Sequence, residues 1–304
     1  MSTELIELSN ALAQATDRAA ASVVAVHTER RGSSSGIVWR AGLIVTSEHA
    51  LRRDEEIEVT LPSGRVASAT LAGRDPSTDV AVLKCPDATS AVLEIGDVAK
   101  LKPGSLTLVV GRTRASGPVA ALGVVSLVAS DRRTWTGASL APYVRLDVGL
   151  QPTAVGGSVI DASGQVVGLA TPRFARFGAI AVPVSSLDKI ADTLLQRGHI
   201  PRGYLGVGLQ PVRVPDGLRE KLNWDEKTAA IVMDVHPAGP ADKAGIVIGD
   251  ILISLAGHAV TQLEDIQSRL AGDAIGKTLP LKFIRGGVIQ QASIVVAERP
   301  HGGE

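Results

Sequence analysis

The chain contains one cysteine, Cys85, so no intrachain disulfide can form. That suits a cytosolic protein, and equally a periplasmic one that does without bridges. Aromatic residues are scarce, at 3%, so Val, Ile, Leu and Ala must fill any core. Neither charge prevails, with 31 Lys and Arg against 31 Asp and Glu. Nothing therefore steers the protein toward nucleic acid or an anionic membrane. No apolar run approaches the roughly 18 residues that would read as a membrane helix. The opening MSTELIELSNALAQATDRAAAS lacks a basic leader and a continuous apolar stretch, so it does not read as a signal peptide. The expected location is cytoplasmic, or periplasmic if an export signal has been removed.

The chain has 304 residues, 45% of them hydrophobic, which suits two or three globular domains with a real core. Leu5, Leu8, Leu12, Ala15 and Ala19 recur at steps of three and four, which predicts an amphipathic N-terminal helix over 1–21. Short Val- and Ile-rich runs follow, among them SVVAVHT (22–28), GLIVTS (42–47), EIEVTL (56–61), DVAVLK (79–84), LTLVV (106–110), LGVVSLVA (122–129), YVRLDV (143–148), QVVGLAT (165–171) and AIAVP (179–183). Frequent turn residues between them predict a sandwich or barrels. A helix is expected at SSLDKIADTLLQRG, with Ser185 or Ser186 as N-cap and Gly198 closing it. Beyond Pro201 strands alternate with short helices, as in a compact α+β module.

Taken in order, several segments resemble the HtrA/DegP-type serine proteases. IVTSEHAL is similar to that family's histidine segment and GRDPSTDVAVLK to its aspartate segment. LDVGLQPTAVGGSVIDASGQVVGLAT aligns with the nucleophile segment without a gap, and FGAIAVP with the strand that follows. RGYLGVGLQPV and PAGPADKAGIVIGDILISLAGHAV resemble the carboxylate loop and core of a PDZ module. The resemblance implies a mainly β fold: a trypsin/chymotrypsin-like double β-barrel followed by an α+β PDZ domain. The domains expected are a helix at 1–21, the barrels at 22–198, a linker at 199–202, the PDZ module at 203–299 and a tail at 300–304.

The resemblance makes His49 the imidazole and Asp79 the carboxylate of a catalytic triad. Val155 then stands where the nucleophilic serine belongs. Valine has no hydroxyl for a base to activate. Around it, Thr153 replaces a glycine, Ala154 an asparagine and Ser158 a proline, while Gly156 and Gly157 agree with the family. A β-branched residue resists positive φ, so Thr153 is expected to disfavour a loop that aims amides at an oxyanion. The chain is therefore expected to be a pseudoprotease, with these residues as triad remnants and a degenerate oxyanion loop. The alternative is an active endopeptidase using Ser158. Three residues of extended chain span roughly 10 Å, too far for the same base. The serine cluster GSSSG (32–36) reads as a loop and Cys85 as a small buried hydrophobe. The histidines His27, His199, His236, His258 and His301 have no metal-ligand spacing, so neither metal nor cofactor is expected.

A PDZ module binds peptide by strand addition and captures the terminal carboxylate on backbone amides. The resemblance assigns that loop to Tyr204, Leu205, Gly206 and Val207. Leu205 and Val207 are expected to line an apolar pocket facing Ile266 and Leu270. The partners expected are peptides or protein C-termini, with a homo-oligomer or an active paralogue as further candidates.

Overall fold

This computed structural model describes all residues except 1–2, 28–31, 52–56, 90–93, 116, 131, 134–138, 271 and 301–304. The expected end of the first strand at Thr28, the start of another at Glu56, and His301 lie outside the described residues. Two compact units are present, Met1–Ile200 and Pro201–Glu304.

The first unit opens with α1 (Thr3–Ala20). Its C-terminal half is pinned through the buried Ala15, Ala19 and Ala20. Leu5 and Leu8, expected on the buried face, are 63% and 45% exposed because the helix meets the barrels only from Leu12 onward, mainly through small residues. Six strands form the first closed barrel: β1 (Val23–His27), β2 (Ser33–Arg40), β3 (Leu43–Ser47), β4 (Ile57–Thr60), β5 (Val66–Asp75) and β6 (Val80–Lys84). The order around it is β1-β2-β3-β6-β5-β4. Next come β7 (Leu106–Thr113) and β8 (Gly117–Ala129), then the short pair β9 (Arg132–Arg133) and β10 (Ser139–Leu140). With β11 (Tyr143–Asp147), β12 (Ser158–Asp161), β13 (Val166–Thr171) and β14 (Ala179–Pro183), β7 and β8 close a second barrel in the order β11-β14-β13-β12-β7-β8. Every residue of β13 and β14 is buried, as their unbroken small and branched apolar runs dictate. One apolar cluster, including Ile37, Val45, Val109, Val159 and Leu169, draws on both barrels.

GSSSG is not a loop. Ser33–Gly36 open β2, where Ser34 and Ser35 are buried and paired with β1. Serine suits a turn, but the barrel's close inner packing takes small residues there as well. Gly36 shows the constraint, since a Cβ on it would lie 2.7 Å from the Ile44 side chain. The helix α2 (Val184–Arg197) also begins earlier than expected. Pro183 is its N-cap, with no side-chain cap, because the chain turns into the helix directly from β14. Ser185 and Ser186 fall inside the first turn, while Gly198 closes the helix in the left-handed conformation.

The second unit comprises β15 (Gly203–Tyr204), β16 (Val207–Arg213), α3 (Asp216–Leu222), β17 (Thr228–Val235), α4 (Pro240–Lys243), β18 (Ile251–Leu255), β19 (His258–Ala259), α5 (Leu263–Arg269), β20 (Thr278–Arg285), β21 (Val288–Val295) and β22 (Ala297–Glu298). Its main sheet runs β16-β17-β18-β20-β21, so β16 is an edge strand, and β15 pairs with β22. Helix α5 starts with a capping box in which Gln262 and Asp265 satisfy each other's backbone.

Candidate functional site

Strands β3 and β6 lie side by side, with Ser47 opposite Val80. The residues just past one and just before the other are therefore neighbours. These are His49, on the 3-10 turn Glu48–Ala50, and Asp79. Asp79 takes a left-handed φ of 58°, unusual outside glycine and tolerated best by Asp and Asn. His49 Nδ1 lies 2.9 and 2.8 Å from the two carboxylate oxygens, and the His49 amide donates to Oδ1 at 2.8 Å. Ser47 Oγ donates to Oδ2 at 2.6 Å, and Thr171 Oγ1, at the end of β13, also donates there. Asp79 is wholly buried. Burial is the largest single influence and favours the neutral acid, but donors on His49, Ser47 and Thr171 together outweigh it and hold this carboxyl below its usual range. A carboxylate on Nδ1 fixes the ring as the tautomer with its proton there, leaving Nε2 to accept. Among the described residues Nε2 has no hydrogen-bond partner.

Glu48, beside this pair, behaves oppositely. Burial and the nearby Asp79 charge push its carboxyl up, against the opposing pull of Arg74, 3.6 Å away, and Arg173.

The loop before β12 approaches the same place. A Cβ on Gly156 would lie 2.3 Å from Ser35 O and 2.9 Å from Ser47 N, so Gly156 packs against the strand that leads to His49. Its φ is +78°, a second reason for glycine. The preceding residues Pro152–Ala154 form a 3-10 turn. Ala154 N–H donates to Gln151 O at 2.9 Å and Val155 N–H to Pro152 O at 3.3 Å. In trypsin-fold enzymes the amide of the nucleophile residue is one of two oxyanion donors. Here the Val155 amide turns back onto its own loop. Thr153 is not among the positive-φ residues. The turn is held from outside by Ser35: its Oγ donates to Thr153 O at 2.6 Å and accepts from Arg112 N–H at 2.8 Å, and its amide donates to Val155 O at 2.7 Å. Val155 itself is 8% exposed. Ser158 has no solvent exposure, and its Oγ has no partner among the described residues.

Ser35, Ser47 and Thr171 were not singled out in the sequence. Ser47 and Thr171 lie within the quoted motifs, at positions where a hydroxyl at the end of a strand can reach a buried carboxylate. Ser35, inside GSSSG, gave no signal of this role, since its partners lie 77 and 118 residues away.

In the second unit Gly206 has φ +76° between β15 and β16. Leu205 and Ile266 are 3% and 4% exposed and belong to the core of this unit, with Val207 and Leu270 packed against it half-buried. Leu205 O and Gly206 O accept from the Ala241 and His236 amides. Tyr204 meets His236 edge-on, with ring centroids 6.3 Å apart. That pair borders a cavity of about 510 Å³, formed with α4 and the end of β21, which no sequence motif announced.

Two closed six-stranded barrels with a His–Asp pair beside a glycine turn, followed by an α+β sheet unit, define the trypsin-type double barrel with a PDZ domain. A trypsin-like peptidase domain matches residues 34–169 and a PDZ domain residues 203–296. A probable periplasmic serine endoprotease DegP-like from Halomonas elongata is 30% identical over 278 residues, covering 90% of this chain and 58% of the relative. One of the same name from Pseudomonas putida is 31% identical, with 90% and 57% covered. The chain thus spans under two thirds of the length of these relatives. The solved HtrA-type protease AlgW with decapeptide superposes with a TM-score of 0.77 at 23% identity, over 95% of this chain and 99% of that one. A serine endoprotease from Yersinia pestis gives 0.74 at 26% identity, over 95% and 98%. The chain belongs to the HtrA/DegP family of trypsin-type proteins with a C-terminal PDZ domain.

Proposed function

We propose that this member of the family is a pseudoprotease that binds peptides without cleaving them. The observation that carries the reading is Val155 at the nucleophile position: His49 and Asp79 form a base that has no hydroxyl to activate. The inward-turned Val155 amide supports it further. The rival, an endopeptidase using Ser158, meets a buried hydroxyl that touches no base. No hydrolysis of unfolded casein is expected. Cleavage that disappears in His49→Ala would overturn the proposal, because it would reveal a working base and nucleophile.

The binding function falls to the PDZ module. Edge strand β16 is free for strand addition, and the Tyr204–Val207 turn, with Gly206 at positive φ, is the proposed carboxylate loop. Leu205 and Ile266 then act as the floor of the groove, with the half-buried Val207 and Leu270 nearer the ligand. Peptides with an apolar C-terminus are expected to bind at around micromolar affinity, about 8 kcal/mol. Calorimetry should show sharp weakening on C-terminal amidation, and equal binding of acid and amide would rule out carboxylate capture. The relatives are named periplasmic, which favours the exported location over the cytoplasmic one.

A further inference from the structure

The chain has three phenylalanines, and two of them, Phe174 and Phe177, lie in the segment PRFARFG (172–178). This loop joins β13 to β14 directly after Thr171, the residue that donates to Asp79. Its base is firmly held. Arg173 N–H donates to Thr171 Oγ1 at 3.0 Å and Ala175 N–H to Pro172 O at 3.1 Å. At the far end a Cβ on Gly178 would lie 2.1 Å from Leu146 O, at a φ of +74°. Phe174 packs against the double-barrel core. The tip is different. Phe177 is 80% exposed, and the Arg176 guanidinium lies 5.8 Å from its ring centre.

A lone exposed apolar side chain needs no explanation. This one is an aromatic with a cation beside it on an anchored turn, and aromatic residues and arginine are both enriched in protein interfaces. Along the chain the local charge is of one sign: between Asp161 and Asp188 the only charged residues are Arg173 and Arg176. Arg173 reaches inward far enough to act on Glu48. Arg176 has no carboxylate partner among the described residues, although Asp147 is exposed on β11, the strand against which Gly178 packs.

We infer that the Arg176–Phe177 tip is a docking point for acidic polypeptide segments that carry an apolar or aromatic residue. The ring supplies the anchor, and the unpaired guanidinium selects a carboxylate next to it. Nucleic acid fits less well, since strand binding needs a run of aromatics along a basic groove and the chain is neutral overall. The inference does not depend on whether Val155 abolishes catalysis, nor on the PDZ module.

The test uses the full chain and a fluorescein-labelled peptide of alternating Glu and Gly with one central Phe, amidated so that carboxylate capture cannot contribute. Fluorescence anisotropy should show saturable binding that weakens as salt rises. Phe177→Ala and Arg176→Glu should each weaken it about tenfold or more. Both positions are exposed, so thermal unfolding should be unchanged. The Lys version of the peptide should not bind. Absence of saturable binding overturns the inference, as does binding that ignores Phe177→Ala. Binding of a single-stranded oligonucleotide in place of the peptide overturns it too. So does a Phe177-dependent change of mass in sedimentation without peptide binding, which would make the tip a self-contact.

Discussion

The two sides of the candidate site are built from opposite materials. On one side Asp79 gathers His49, Ser47 and Thr171 from both barrels into a buried network in which every carboxylate oxygen is used. On the other side the 152–157 turn satisfies its amides mostly within itself and is tied down by Ser35 and by two backbone bonds to Ala170. A network that joins strands contributes to stability whether or not chemistry occurs. A loop that must aim amides at an absent charge contributes only when chemistry occurs. The first side therefore has a structural role independent of function, whereas only chemistry would keep the amides of the second pointed outward. That contrast explains how an ordered His–Asp pair can persist whether or not chemistry occurs beside it.

Breaking the first side should have the largest effect. Asp79→Ala strands four donors, the His49 amide and Nδ1, Ser47 Oγ and Thr171 Oγ1, and puts alanine at a left-handed φ, so a loss of about 3–5 kcal/mol in urea unfolding is expected. Asp79→Asn, which tolerates that φ, should lose less. A loss under about 1 kcal/mol for Asp79→Ala would mean the network is not structural.

Rebuilding the second side comes next. Val155→Ser alone should leave peptide cleavage undetected, because the Val155-position amide still faces Pro152 O. Adding Thr153→Gly and Ala154→Asn should give faster cleavage, by up to about 10²–10³, the usual worth of one oxyanion donor. His49→Ala in each background is the control. If the single variant matches the triple, the turn was already competent and the account of Thr153 is wrong.

Ser35→Ala sharpens the comparison at smaller scale. It leaves Thr153 O and Arg112 N–H without their buried partner, at a cost of about 1–3 kcal/mol. Hydrogen exchange should speed up at 153–157 while the amides of β3 and β6 remain protected. Uniform acceleration would show that the two sides are one cooperative unit.

The smallest effect is in pH. Asp79 is held below its unfolded value, so its contribution is complete above about pH 4 and is lost as pH falls through the folded value. Glu48 is raised, so its neutral form is the favoured one; its contribution is present at acid pH and is lost as pH rises through the folded value. Glu48→Gln should therefore gain stability relative to the parent as pH rises from about 4 toward 7. No pH dependence of that difference would place the Glu48 carboxyl in water.

Much of this was legible in the sequence because the signals are local. Val and Ile runs between turn residues announced barrel strands, and β3, β6, β13 and β14 lie within a residue or so of the expected runs. The gapless match around Gly156 falls on a turn in which that glycine takes a positive φ. The serines of β2 misled, since a side chain that suits a turn also suits a tight strand. The exposed half of α1 misled as well, because periodicity marks an apolar face but not what covers it.

The sequence alone therefore determined the double-barrel and PDZ architecture, the pairing of His49 with Asp79, and the absence of a hydroxyl at position 155. Each depends on residue identity or on spacing along one strand. Only the tertiary structure decided that Thr171 from one barrel and Ser47 from the other share Asp79, that Ser35 holds Thr153 across the fold, that Leu205 and Ile266 are core, and that Phe177 stands in solvent beside Arg176. Those facts depend on which surfaces meet after the chain closes, and no local pattern encodes them.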